Sequence, residues 1–209
     1  GSNIENIQVG DGTSGVYIWG AQLEQQSYAT SYIPTSGAIA TRNQELCVDA
    51  TPVINSEEGV LYAEIAGISD GDVRRYISLS DGSTANDVRL YLDTNGYISA
   101  LTKAGGSTQA FLSTNAYVQN DFNKIAFKYK ENDFALWVNG TEVSTDNSGL
   151  VNASNSVNQL NFNGNNLDFH GNTKDLQVYT KALKDIQLIA LTSWSSFTEM
   201  ANALNYTIK

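Results

Sequence analysis

The chain has little of what usually identifies a small protein's chemistry. It contains one cysteine and one histidine in 209 residues. Cys47 therefore has no intrachain disulfide partner, and the Cys/His spacings of zinc sites cannot be written, so the fold has to be held by its core. Proline is scarce, with two in the chain, and charged residues make up 16%. Four arginines and eight lysines against a formal net charge of −10 leave no basic cluster for tracking phosphates, which argues against nucleic acid as a partner. No apolar run approaches the roughly 18 residues that cross a bilayer, and Gly1-Ser2-Asn3 opens no basic-then-apolar leader, so no membrane insertion is expected. The chain reads as a piece of a longer extracellular or virion protein.

What is present is a dense series of alternating segments broken by turn dipeptides. Gly59–Ala66, Arg74–Ser80, Asp87–Asp93 and Gly96–Thr102 each alternate apolar and polar residues. Asp81-Gly82 and Asn95-Gly96 separate them, with the positive φ angles that tight antiparallel connections need. The clearest hairpin is Lys124–Lys130, a turn at Glu131-Asn132-Asp133, then Phe134–Val138 closed by Asn139-Gly140. Ile125, Phe127 and Tyr129 share one face there, and Phe134, Leu136 and Val138 oppose Ala135 and Trp137. Leu160–Asn163 and Asp175–Tyr179 repeat the device, with Leu160, Phe162, Leu176 and Val178 expected inside. Helical spacing appears only late. Leu183, Ile186, Ile189 and Ala190 form one stripe over Lys181–Leu191, and Ser196-Phe-Thr-Glu199 has capping-box spacing before a second short helix. These observations predict an all-β, antiparallel two-sheet sandwich with C-terminal helices.

The front differs from the rest. Gly15–Glu24 reads as a strand with no nearby partner, and from Gln25 the sequence becomes small and polar as a connector does. The expected organisation is residues 1–45 as a strand and connector belonging to a preceding module, and 46–209 as the sandwich.

Phe134-Ala-Leu-Trp-Val-Asn-Gly-Thr-Glu-Val143 resembles the strand-turn signature of laminin-G-like, concanavalin A-like jelly rolls. Leu160–Gly164, Phe169-His-Gly171 and Lys174–Leu183 are similar to that family's last strands and helix entry. The segments Val16–Glu24, Tyr32–Ser36 and Ala40-Thr-Arg42 resemble parts of phage head-spike and tail-fibre proteins. The resemblance implies a jelly roll that binds a polysaccharide or cell-surface glycan and is displayed as a homotrimer within a parent fibre. The family has no universal ligand triad, so no residue role transfers with it.

Ligand residues therefore have to come from chemistry. Sugars are held by rings facing C–H surfaces together with amides, guanidinium and carboxylate groups that pair with hydroxyls. Alternation turns Arg89 and Tyr91 away from Val88, Leu90 and Leu92, groups Tyr76 with Ser78, and sets Asn161, Asn163 and Gln177 outward; Trp137 shares a face with Lys128, which leaves two placements open for it, exposed there or covered by the terminal helices. Arg89, Tyr91, Tyr76, Trp137, Asn161, Asn163 and Gln177 are the expected ligand contacts. No strand carries the paired carboxylates of a glycosidase, His170 sits in a Gly- and Asn-rich loop, and Gly10–Gly15 precedes a strand instead of opening a helix, so no enzyme is expected. Structural calcium is expected first at Asp70 and Asp72, where hard oxygen ligands crowd a turn. Two other readings stay open: a structural or oligomerisation module of a fibre, and a polysaccharide lyase or glycoside hydrolase of the same fold.

Overall fold

A computed structural model describes residues 52–67, 75–164 and 167–194, with Thr13, Gly15, Tyr17, Gly20, Ala21, Leu23, Tyr32, Pro34 and Gly37 before them. The chain divides into two compact units, Gly1–Cys47 and Val48–Lys209. The strand expected at 15–24 falls largely outside the described residues, as do Asp70 and Asp72 and the helix expected after Ser196.

The second unit is built from β1 (Glu58–Gly67), β2 (Arg75–Ser80), β3 (Asp87–Leu92), β4 (Ile98–Ala104), β5 (Ser107–Thr114), β6 (Asn123–Lys130), β7 (Phe134–Val138), β8 (Thr141–Asp146), β9 (Gln159–Asn161), β10 (Asn163–Gly164), β11 (Leu167–Asp168), β12 (Gly171–Tyr179) and α1 (Asp185–Thr192). Among the described residues two five-stranded sheets form, in the orders β12-β1-β6-β7-β8 and β5-β4-β3-β2-β9, and β10 pairs with β11 as a two-stranded ribbon. All pairings are antiparallel. The result is the predicted all-β sandwich.

Alternation explains the core. Leu61, Ala63, Ile65, Ile125, Phe127, Tyr129, Phe134, Leu136 and Val138 of the first sheet meet Ile77, Leu79, Val88, Leu90, Leu92, Ile98, Ala100, Ala110 and Leu112 of the second in one buried cluster. The turns use the expected chemistry: φ is +86° at Gly82 and +85° at Gly96, and both Asn139 (+49°) and Gly140 (+84°) are positive, as a two-residue hairpin turn requires. Phe162 departs from expectation. It is 41% exposed because the alternation breaks between β9 and β10, leaving its ring beside Phe169 (centroids 6.3 Å apart) and outside the core.

The outer face of the first sheet is also buried. Val60, Tyr62, Ala126, Ala135 and Trp137 form a second apolar cluster with Leu188 of α1. The buried positions of this helix are Leu188 and Thr192, whereas Ile186 is 69% and Ile189 38% exposed. Of the stripe predicted through Leu183, Ile186 and Ile189, only Leu183, which precedes the helix, packs against this cluster, while Ile186 and Ile189 are rotated away from the sheet. The helix starts only at Asp185, and its C-terminal end is pinned with the i, i+4 pair Leu188/Thr192 inward: the Gly140 N–H donates to Thr192 Oγ1 (3.1 Å) and Lys124 Nζ donates to the Ser193 carbonyl (3.2 Å). Lys124 Nζ also lies 4.6 Å from the Trp194 ring centroid, a cation–π contact at the helix exit.

Candidate functional site

The outer face of the second sheet is where the sequence placed most of its ligand candidates. With Val88, Leu90 and Leu92 turned into the core, Asp87, Arg89 and Tyr91 point the other way, and strand register aligns their neighbours in rows. Tyr76, Tyr91, Ser99 and Ser113 form one row; Asn161, Ser78, Arg89, Leu101 and Phe111 form the next; Gln159, Ser80, Asp87 and Lys103 form the third.

Aromatic contacts run diagonally over these rows. Tyr76 and Tyr91 lie 5.3 Å apart between centroids at 38°. Tyr91 reaches across the small Ser99 to stack on Phe111, at 6.4 Å and 29°. The guanidinium of Arg89 sits 5.2 Å from the Tyr76 ring centroid and forms an ion pair with Asp87 Oδ2. Asn161 Nδ2 donates to Ser80 Oγ at 2.8 Å, tying β9 to the face.

The face is as expected, but the exposure is not. Tyr76, Arg89 and Tyr91 are only 5%, 9% and 6% exposed, so the expectation that they present themselves to solvent is corrected. Long side chains in adjacent rows lie over one another, ring on ring and guanidinium on ring, which removes water from each. Asp87 and Ser99 are buried with them, and Asp87 Oδ1 and Ser99 Oγ have no hydrogen-bond partner among the described residues. Phe111, at the sheet edge, is 52% exposed and is the ring of this group that solvent reaches most. It was missed because Ser107–Thr114 is mostly polar; the signal was its alternation against Ala110 and Leu112.

The remaining candidates do not join the group. Trp137 is 5% exposed on the opposite side of the sandwich, beneath α1, so the exposed placement that would make it a ligand contact is corrected in favour of cover by a terminal helix. Gln177 belongs to the first sheet, where it donates to Asp175 Oδ2 (2.6 Å) and accepts from the Tyr179 hydroxyl. Asn163 pairs through its backbone with Asp168 in β10 and β11. Tyr76, Arg89, Tyr91 and Asn161 share one face; Trp137 and Gln177 face away from it across the full thickness of the two sheets.

Acidic side chains are engaged locally. Glu58 is held below its usual range, first by a hydrogen bond from Lys181 (3.0 Å). Lys174 reaches Glu64 at 3.5 Å. Among the described residues no group of three or more His, Cys, Asp or Glu side chains could hold a metal ion. Asp81 caps the β2–β3 turn: its carboxylate accepts from the Ser83 N–H and from Asn86 Nδ2, both at 2.8 Å, and its pKa is held below the ordinary 3.8 first by the Ser83 side chain, then by Asn86 and, to a lesser extent, the Ser83 backbone. A pKa lower in the folded state means that the stabilisation is complete above about pH 4 and fades as pH falls through the lowered value. Asp81→Asn is therefore expected to flatten the acid limb of a plot of melting temperature against pH and to leave the neutral region's slope unchanged. An unaltered acid limb would remove Asp81 from the acid response.

Comparisons with known proteins agree with this architecture. A family model described as concanavalin A-like lectin/glucanases superfamily matches residues 65–188, more than half of the chain. The carbohydrate-binding module CBM40 of the Ruminococcus gnavus IT-sialidase superposes with a TM-score of 0.54 at 20% identity, covering 66% of this chain and 84% of that one. A heptameric SAP-like pentraxin from Limulus polyphemus gives 0.53 at 14% identity over 71% and 75% of the two chains. The NanB sialidase from Streptococcus pneumoniae gives 0.53 at 15% identity, over 67% of this chain but 24% of that one. At these identities the likeness is one of fold. No curated protein sequence matches the chain.

Proposed function

The chain belongs to the concanavalin A-like lectin/glucanases superfamily, and on that premise we propose that it binds a polysaccharide or cell-surface glycan without cleaving it, at the outer face of the β5-β4-β3-β2-β9 sheet. The observation that carries the proposal is Phe111. A half-exposed ring on a strand edge, backed by Tyr91 at 6.4 Å and through it by Tyr76, is a rigid flat surface for the C–H face of a pyranose. Lys103, Ser113, Gln159 and Asn161 lie in the same rows to meet hydroxyls. Tyr76, Arg89 and Tyr91 act beneath the ligand, holding the platform in place. The similar fold of the Ruminococcus gnavus IT-sialidase CBM40, a module that binds α2,3-sialyllactose, adds support.

The non-catalytic part of the proposal rests on the carboxylates. Glycoside hydrolysis takes two carboxyl groups flanking the bond to be cut. The rows of this face carry one carboxylate, Asp87, which is 2% exposed and paired with Arg89. The proposed setting is a virion appendage or large extracellular protein, in which repeated copies, as in a homotrimeric fibre, would add avidity to a weak single site.

Electrophoresis through gels carrying different polysaccharides tests this. At least one polymer is expected to retard the chain, and Phe111→Ala is expected to weaken that retention by about five- to thirty-fold, for about 1–2 kcal/mol of lost stacking, with the melting temperature nearly unchanged. Repeating the gels with chelator reads the calcium proposed at Asp70 and Asp72, and reducing-end or unsaturation assays read turnover. Retention that survives Phe111→Ala would move the site off this face. A chain that no polymer retards would point to a structural fibre module.

A further inference from the structure

We propose that Asn95 is a site of spontaneous covalent ageing, while Asn139, which heads the same Asn-Gly dipeptide, is protected by the fold. The reaction is intramolecular. The Gly96 backbone nitrogen attacks Asn95 Cγ; the new N–Cγ bond forms as the Cγ–Nδ2 bond breaks; the Gly96 N–H proton is lost to water and the side-chain amide leaves as ammonia. Water then opens the cyclic imide at either carbonyl, giving aspartate or isoaspartate. The net change is amide plus water to acid plus ammonia, with no other reactant. Glycine at the following position favours it, because no side chain shields the attacking nitrogen.

The two turns differ at every group the reaction uses. At Asn139 the side chain is held at both ends: the Lys124 N–H donates to Oδ1 at 2.9 Å and Nδ2 donates to Asn123 Oδ1 at 2.9 Å. The nucleophile is also held, since the Gly140 N–H donates to Thr192 Oγ1 at 3.1 Å. Turning the Asn139 carbonyl carbon onto that nitrogen would break three hydrogen bonds and release the end of α1. At Asn95 the side chain is exposed and makes no hydrogen bond among the described residues. The Gly96 N–H makes one bond, a long 3.3 Å contact to the Asp93 carbonyl within the turn. What is fixed there is the backbone N–H of Asn95, which donates to Asp93 Oδ1 at 2.7 Å, and that group takes no part in the reaction.

The product adds a negative charge two residues from Asp93 and, in its isoaspartyl form, a methylene to the backbone of the turn joining β3 to β4. Those strands carry Tyr91 and Ser99, so the change falls at the end of the aromatic row.

The test uses the full chain, held at pH 8 and 37 °C for weeks in buffer and in parallel in urea, then digested with trypsin and a Glu-specific protease. Asn95 is then isolated in the peptide 90–103 and Asn139 in the peptide 132–142. In the folded chain, peptide 90–103 is expected to acquire the acid-for-amide mass change as two separable isomers, one of them methylated by isoaspartyl methyltransferase, while peptide 132–142 stays intact. In urea both should convert at comparable rates. The proposal is overturned if peptide 90–103 stays intact in the folded chain while converting in urea, or if peptide 132–142 converts as fast folded as unfolded.

Discussion

Asp87→Ala is expected to lower the unfolding free energy by about 3–5 kcal/mol, the cost of removing one partner from a buried ion pair. Asp87 is 2% exposed and the Arg89 side chain 10%, with Arg89 also lying over the Tyr76 ring. Alanine leaves the guanidinium in that desolvated row without its carboxylate. The double variant Asp87→Val, Arg89→Leu is expected to recover most of the loss, because replacing both members of a buried pair by apolar groups of similar size is often neutral or stabilising. Urea unfolding followed by tryptophan fluorescence reads both. A loss below about 1 kcal/mol, the range of exposed surface pairs, would mean that water reaches Arg89, and the reading of Tyr76, Arg89 and Tyr91 as a dry platform under Phe111 would fall with it. Glycan retention should drop in Asp87→Ala alongside stability, since the platform orients Phe111.

Trp137→Ala should cost about 3–5 kcal/mol as well, the usual penalty for emptying the site of a buried aromatic. Its ring belongs to the cluster between the first sheet and α1, with Leu188 buried there and Leu191 packed against it from the same helix. The variant should therefore loosen the helix first, seen as faster proteolysis after Lys181 and Lys184 at its start. Trp137→Phe should lose much less, because Trp137 Nε1 has no hydrogen bond among the described residues to forfeit. Glycan retention should be unchanged in the residual folded fraction. Retention lost with stability intact would instead make Trp137 a ligand contact, as its sequence position had suggested.

Much of the fold is legible from local pattern. Asp81-Gly82, Asn95-Gly96 and Asn139-Gly140 mark three connections whose positive φ values only such residues supply cheaply, and the alternation of Ile125, Phe127 and Tyr129 against Ala126 and Lys128 names the inward face of β6 correctly. Edge strands are harder. In β5 and β8 a half-solvated edge tolerates Ser107-Thr-Gln and Thr141-Glu, so the period-2 signal thins out. In α1 the helix is apolar on more than one side, with Ile186, Leu188, Ile189 and Leu191 within six residues, so spacing alone could not choose the buried stripe.

The order of residues by itself determined the class of the fold, the hairpin turns and, strand by strand, which side chains oppose the core, because these depend on neighbours one to four positions away. Only the tertiary structure decided which strands share a sheet, and so that Tyr76, Arg89, Tyr91 and Phe111 meet while Trp137 and Gln177 lie behind them. It alone decided that a face polar and aromatic in sequence is mostly dry, since burial is set by what residues far along the chain bring across it.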